Sequence, residues 1–462
     1  MLRPLLSKLT ANTAQVAVNQ ALSLLIFLLL ARTLDKASFG LLNLALAILL
    51  VLFGILSFGM DQLLVRKTTL SGADGSWLSV VLAHYCLVGF VALLLTGVAA
   101  LVGGATSAQA IVFALCAGKL AFSLSTPFKS VATAEERFGR VLAMSVVANT
   151  CRVMGLVLLW LLASITLQRA CFVFVLADGA ELLACLILSR RSLGAAFSRF
   201  SIGRYRSLLG ESLPVVGTVV FSFALARFDW IFIGFFGTGA RLAEYSFAYK
   251  VFELSLLPLY VIAPLLVPRF IRLAAGGDQR ELLSLGKLEM LISGATIFVL
   301  NVVWEPAANF LSAGKYGSVN RETIFFLSLS IPFLYLNNFL WSLHFAAGRT
   351  RFILYSFAGC FAIDALLTPI LYPLLGNAGA ALAYLVAIAL QTIAYYRRAT
   401  EVPGLSWWPL LTGVFAALSG LAVSRMVVNE LAGGLFGVSV FIVLLLLARR
   451  VRWMLTPAVS GF

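Results

Sequence analysis

The sequence predicts an all-α polytopic membrane protein with about fourteen transmembrane helices, and three observations predict it. Apolar blocks of roughly 17–25 residues fill nearly the whole chain between short polar turns, and a bilayer core needs about 20 apolar residues per helical crossing. Charged residues make up 11% of the chain, where soluble proteins carry about 25%, and the mean hydropathy is +1.01. Basic residues alternate between rich and poor loops as far as the C-terminus.

In chain order the spans read 12–31, 40–60, 78–100, 108–127, 140–163, 169–189, 213–236, 245–268, 286–304, 322–345, 352–372, 379–396, 409–428 and 434–448. The first is followed by Arg32-Thr33-Leu34-Asp35-Lys36 and not by a small-residue cleavage site, so it reads as a retained helix rather than a signal peptide.

The basic-rich loops hold Arg3 and Lys8; Arg66 and Lys67; Lys129, Arg137 and Arg140; Arg190, Arg191, Arg199, Arg204 and Arg206; Arg269, Arg272, Arg280 and Lys287; Arg349 and Arg351; Arg397 and Arg398; and Arg449, Arg450 and Arg452. The opposite set holds Arg32, Lys36, Arg169, Arg241, Lys315 and Arg321. The positive-inside rule puts the rich side, and with it both termini, in the cytoplasm.

The largest cytoplasmic loop, 190–212, separates an N-terminal lobe of six spans (1–189) from a second lobe of six (213–396). The expected plan is two parallel six-helix lobes around a central cavity, a known transporter arrangement. Residues 397–462 add two helices and a basic C-terminus.

Several function classes are excluded or weakened. The net charge of +15 is dispersed over short loops, which speaks against nucleic acid. Cys86, Cys116, Cys151, Cys171, Cys185 and Cys360 lie within apolar blocks without CxxC spacing, and the only histidines are His84 and His344, so no metal site is expected. No Walker A, HExxH or GxSxG motif occurs, and no cofactor is implied. The longest outer loop, Trp304–Arg321, is too short for a catalytic domain. Glu135-Glu136, the one adjacent acidic pair, sits beside Arg137 and reads as a solvated ion pair.

Charges inside spans carry the functional signal, because a charge at mid-bilayer costs about 2.5–3.5 kcal/mol even on lenient scales. The cations are Lys119, Arg152, Arg227, Lys250 and Arg425; the carboxylates are Asp178, Glu181, Asp229, Glu253, Glu289 and Asp364. Arg425 and Glu289 lie at span ends. Lys250 and Glu253 are i,i+3 and share a helix face, as do Asp178 and Glu181; Arg227 and Asp229 are i,i+2 and cannot. Lys119, Arg152, Asp178 and Glu181 read either as a cluster that holds the first lobe together or as part of a cation-lined cavity for an anion. The aromatic run Phe221, Phe223, Phe228, Trp230, Phe232, Phe235 and Phe236 reads as packing or lipid-facing surface rather than a sugar platform. Pro258, Pro264, Pro268 and Pro332 allow helix bends.

Four motifs carry a family resemblance: Ala31-Arg32-Thr33-Leu34 with Phe39-Gly40; Phe58-Gly59-Met60-Asp61-Gln62 with Arg66; Arg227-Phe228-Asp229-Trp230 through Phe236 followed by Glu244-Tyr245-Ser246-Phe247-Ala248-Tyr249-Lys250; and Pro264-Leu265-Leu266-Val267-Pro268-Arg269-Phe270. In order and spacing the chain resembles the Wzx-type polysaccharide flippases of the multidrug/oligosaccharidyl-lipid/polysaccharide exporter superfamily. The resemblance implies a non-enzymatic flippase of the bacterial inner membrane that moves an undecaprenyl-diphosphate-linked oligosaccharide to the outer leaflet by alternating access. It implies membrane lipids, a polysaccharide polymerase and chain-length proteins as partners. Arg227, Lys250, Arg152, Lys119 and Arg32 are then the candidate substrate-binding cations. Asp364, Asp178, Glu181, Asp229 and Glu253 are the candidate coupling or pairing carboxylates, with Asp364 chosen for coupling because its own span holds no basic residue. A cation-coupled multidrug antiporter, a lipid II flippase and, from another class, a membrane glycan polymerase or ligase stay open.

Overall fold

The structure, a computed structural model, describes residues 2–71, 76–102, 107–190, 200–259, 279–399, 408–426 and 436–444, together with Leu266, Phe270 and Leu446. Fourteen helices run through these segments. They are α1 Leu2–Thr33, α2 Lys36–Leu56, α3 Met60–Ser71, α4 Ser76–Val102, α5 Ser107–Ala134, α6 Phe138–Leu161, α7 Leu167–Leu188, α8 Ile202–Phe236, α9 Gly239–Ser255, α10 Gln279–Ser312, α11 Arg321–Ala346, α12 Thr350–Leu375, α13 Asn377–Arg397 and α14 Trp408–Met426. Residues 436–444 are also helical. Ten helices are long and apolar enough to cross a membrane, with shorter apolar helices at Ala17–Thr33 and Val414–Ser424. With α9 and 436–444 added, each of the fourteen expected spans overlaps a described helix, 245–268 and 434–448 only in part because the rest of each lies outside the described residues, and the chain is a multi-pass membrane protein.

Local chemistry explains several boundaries. Asp35 caps α2 by accepting from the Ser38 amide at 2.9 Å, one of the donors a helix start leaves over. Its carboxyl is held below the usual range, chiefly by the Ser38 hydrogen bonds. Thr166 caps α7 in the same way. At the other end of α2 the backbone turns through the left-handed region at Phe58 and Gly59. The expected span 40–60 therefore ends at Leu56, and 60–71, read as loop, forms the short helix α3. The freed Leu56 carbonyl meets His84 Nε2 at 2.9 Å, and Asp61 accepts from the Tyr85 hydroxyl at 2.7 Å. A second difference lies at the C-terminal end of α10. The helix continues through Pro306 to Ser312, and a 3₁₀ turn covers Ser318–Asn320, so most of the expected loop Trp304–Arg321 is helical.

Contacts divide the chain into two compact units, Met1–Ser246 and Phe247–Phe462. The expected division at 190–212 was drawn from topology, and residues 191–199 of that loop lie outside the described residues. So do nearly all of the motif 264–270, Pro264 and Pro268, and the basic residues Arg449, Arg450 and Arg452. In the first unit α5 packs on α4 and α7, α6 on α1 and α7, and α2 on α8. At 35 residues α8 is about 52 Å long, well beyond a bilayer core of about 30 Å. Its N-terminal part is tied to α3 by the Lys67–Glu211 ion pair at 2.6 Å. That hydrogen bond to Lys67 lowers the Glu211 carboxyl. In the second unit α11 packs on α10 and α13, α12 on α13, and α14 on α10. There Phe298 stacks on Phe441 at 5.4 Å.

The surface is inverted relative to a soluble bundle. Leu101, Phe236, Phe310 and Leu374 are exposed, while Asp178, Glu181, Asp229, Glu289 and Asp364 are buried. Lipid accepts the first set, and the second set must find partners or neutrality inside.

Candidate functional site

The described charges gather most densely among α1, α5, α6 and α7, within the first unit. On α5, Lys119, Phe122, Ser125 and Lys129 recur every three to four residues and form one stripe. Asn149 and Arg152 share a face of α6, and Asp178 and Glu181 share a face of α7. Gly118 lets α5 approach α7: a Cβ there would press on the Val175 backbone at 2.9 Å and on Asp178 Oδ2 at 3.1 Å.

The pairing is specific. Arg152 donates to Asp178 and, at 2.9 Å, to Asn149 Oδ1; Asn149 in turn donates to Asn19 on α1 at 3.1 Å. Lys129 and Ser125 both donate to Glu181, at 2.5 and 3.1 Å. The ammonium groups of Lys119 and Lys129 lie 4.2 and 4.4 Å from the Phe122 ring centroid, and Arg152 lies over Phe174 at 5.0 Å. Three cations thus face two carboxylates. Lys119 is the surplus charge: it lies within electrostatic reach of Asp178 but makes no hydrogen bond or ion pair among the described residues.

Lys129 is the residue the sequence reading misplaced. The sequence places it in a cytoplasmic loop, but α5 continues to Ala134 and sets it, half-buried, against the buried Glu181. Its spacing from Lys119, Phe122 and Thr126 along one helical stripe was the available signal. The Glu135–Arg137 ion pair at 2.9 Å, with Arg137 half exposed, matches the solvated reading of that loop.

The other expected residues are placed as follows. Arg227 donates to the Ala226 carbonyl at 2.8 Å and lies over Trp230 at 4.7 Å. Asp229, buried, accepts from the Tyr245 hydroxyl at 2.5 Å. Lys250 pairs with Glu253 at 2.9 Å on one face of α9. Arg32 is exposed in the last turn of α1. Asp364 is fully buried in α12, with the Thr368 hydroxyl 3.3 Å from its Oδ1. Of the aromatic run, Phe235 and Phe236 are exposed, Phe228, Phe232 and Phe236 stack along α8, and Phe223 lies where a Cβ on Gly54 would fall.

Residues in and beside two of the sequence motifs meet each other. Lys36 pairs with Glu244 at 2.7 Å, and Asn43 donates to Ser246 at 3.0 Å. Gly40 faces Gly239 so closely that a Cβ would overlap the Gly239 carbonyl oxygen. Together with Asp229–Tyr245 these contacts make a joint between α2, α8 and the start of α9. Those contacts tie α2 to α8 and α9.

A bundle with an apolar exterior and polar interior seams defines a helical multi-pass membrane protein, and comparison with known proteins gives its family. Residues 5–274 match the family model described as "Polysaccharide biosynthesis protein", and the chain belongs to that family. Its fold is that of "Lipid II flippase MurJ, inward closed conformation", with a TM-score of 0.76 at 15% identity over 95% of this chain and 98% of that one. It is also similar to an inward-facing multidrug resistance MATE family transporter of the MOP superfamily, with a TM-score of 0.66 at 13% identity, covering 86% of this chain and 99% of that one. The Vibrio cholerae MATE transporter VcmN, as its D35N mutant, gives a TM-score of 0.61 at 14% identity over 86% and 96%. Comparison with curated proteins gave no match.

Proposed function

We propose that this protein is a flippase that moves an undecaprenyl-diphosphate-linked oligosaccharide from the inner to the outer leaflet of the cytoplasmic membrane for surface polysaccharide assembly. Membership of the polysaccharide biosynthesis family supports the cargo class, and the transporter fold supports the mode of action. The observation that carries the reading is the surplus cation Lys119 within an otherwise paired cluster of buried charge. A diphosphate headgroup needs fixed positive charge, and a glycan needs hydration; both are absent from lipid. Lys119, Arg227 and Lys250 act as the cations that meet the headgroup in the course of transport. Arg152 holds Asp178 in place, and Arg32 serves the outer end of α1.

Both termini face the cytoplasm in this reading, the two six-span lobes alternate in access, and the helices beyond 397 are accessory. A polymerase and chain-length proteins receive the product. An inside-negative potential favours outward movement of an anion by about 2.3 kcal/mol per charge per 100 mV, so no nucleotide is required. The structural likeness to MATE transporters keeps a cation-coupled antiporter as the second reading.

Deletion in the native host tests the assignment. Lipid-linked oligosaccharide should accumulate facing the cytoplasm, and the full-length gene should restore its export. Unchanged surface glycan together with sensitivity to cationic drugs would move the assignment to the antiporter.

A further inference from the structure

Glu289 is a buried acid that the proposed transport reading leaves unused. It sits on α10 with no exposed surface, and among the described residues neither carboxylate oxygen has a hydrogen-bond partner. Nothing positively charged interacts with it among the described residues. The other buried acids differ: Glu181, Asp178 and Asp229 each receive a donor, and Asp364 has Thr368.

The elements packed on α10 supply little. From α11 comes Tyr335, whose hydroxyl interacts electrostatically with Glu289 and lies by the Leu259 backbone outside hydrogen-bonding geometry. The charged residues of α11, Arg321, Glu322 and His344, lie near its ends, and His344 Nε2 is taken by the Tyr395 carbonyl at 3.0 Å. The sequence of α14 contains one charged residue, Arg425, at its C-terminal end. On α10 itself, Ser293 is one turn away and its hydroxyl is taken by the Met290 carbonyl. Arg280, Glu281, Lys287 and Glu305 are the other charges in the α10 sequence.

An ionised carboxylate without donors cannot persist in such a place, because burial penalises the charged form and nothing repays it. A metal ion would need several oxygen ligands, and no group of acids, histidines or cysteines suited to one occurs among the described residues. The remaining neutraliser is a proton. Beside the site, Pro332 interrupts α11 three residues before Tyr335; its missing amide leaves the Ser328 carbonyl without its helical donor and makes α11 bendable there.

We propose that Glu289 is a proton-binding site gated by the packing of α10 against α11. The carboxyl is neutral while the helices are closed and releases its proton when they part and water enters. Proton exchange is thereby tied to a movement within the second unit. The use of that movement in transport rests on the flippase reading; the proton site does not.

The test uses the full-length protein in lipid nanodiscs, without glycan. Infrared difference spectra between wild type and Glu289→Gln at neutral pH should show a protonated carboxyl stretch that belongs to Glu289. In a second arm, Ser293→Cys reports opening through maleimide labelling. Its labelling should rise several-fold more steeply with alkaline pH in the Glu289 background than in the Glu289→Gln background, which corrects for thiol ionisation. Folding of both variants is checked by monodisperse elution. An ionised Glu289 in the infrared spectra, equal labelling slopes in the two backgrounds, or a labelling response to sodium in place of pH would overturn the proposal. Cargo assays play no part in either arm, so a failure here is distinct from a failure of the flippase assignment.

Discussion

The α5–α7 cluster of the first unit and Glu289 of the second unit meet the same problem in opposite ways. In the first, Asp178 is met by Arg152, and Glu181 by Lys129 and Ser125. In the second, Glu289 has no such partner among the described residues. Burial is equally deep in both regions. Pairing ties a carboxylate into the scaffold; isolation leaves it without a fixed partner. The comparison separates charges that hold helices from charges that can change state, which burial alone does not.

The largest expected effect tests the scaffold side. Arg152→Ala leaves Asp178 buried without its partner, and breaking one side of a buried pair costs about 3–5 kcal/mol. Protein abundance in the membrane should fall sharply. The double change Arg152→Leu with Asp178→Leu should recover most of it, because the stranded charge is removed together with its partner. Abundance of Arg152→Ala equal to wild type by immunoblot would count against a scaffold role.

A smaller, functional effect is expected at the surplus cation. Lys119→Ala removes no ion-pair partner, so abundance should stay normal while export falls by about tenfold, the equivalent of roughly 1.4 kcal/mol of headgroup interaction. Lys119→Arg should retain part of the activity. Quantifying surface glycan against protein level distinguishes this from the Arg152 outcome.

The smallest effect lies outside the membrane, at the Asp35 cap. Asp35→Ala should cost about 1 kcal/mol, the usual value of an N-cap. Because the folded carboxyl is held below its ordinary range by the Ser38 hydrogen bonds, its contribution is present above the unfolded value and fades as pH falls through the folded one. Thermal unfolding in detergent should therefore separate wild type from Asp35→Ala at neutral pH and bring them together in strong acid.

Much of the architecture was legible because hydropathy reports directly on lipid contact: each expected span overlaps a described helix. What escaped were helices that outrun their apolar blocks. Lys129 lies beyond the hydrophobic part of α5, and α10 carries on through Pro306. The α3 segment, Met60–Ser71, is too polar and too short to register as a span. The i,i+3 rule placed Lys250 and Glu253 together correctly, and the i,i+2 rule separated Arg227 from Asp229. Pairing across helices is a tertiary fact. Sequence grouped Lys119 and Arg152 with the two acids, but it could not say that Lys129 takes Glu181 and leaves Lys119 over. Glu289 was set aside as a span-end residue because position along a helix does not report which face α11 covers.

One measurement addresses the central claim most directly. Purified protein in proteoliposomes carrying a lipid-linked oligosaccharide with a diphosphate headgroup should move that headgroup across the bilayer, read as the fraction open to an external glycan-cleaving enzyme. The fraction should rise faster than in protein-free liposomes, respond to an imposed potential in the direction that draws an anion, and slow in Lys119→Ala and Arg227→Ala at equal protein load. A rate equal to that of protein-free liposomes, from protein that elutes as a folded species, would contradict the account.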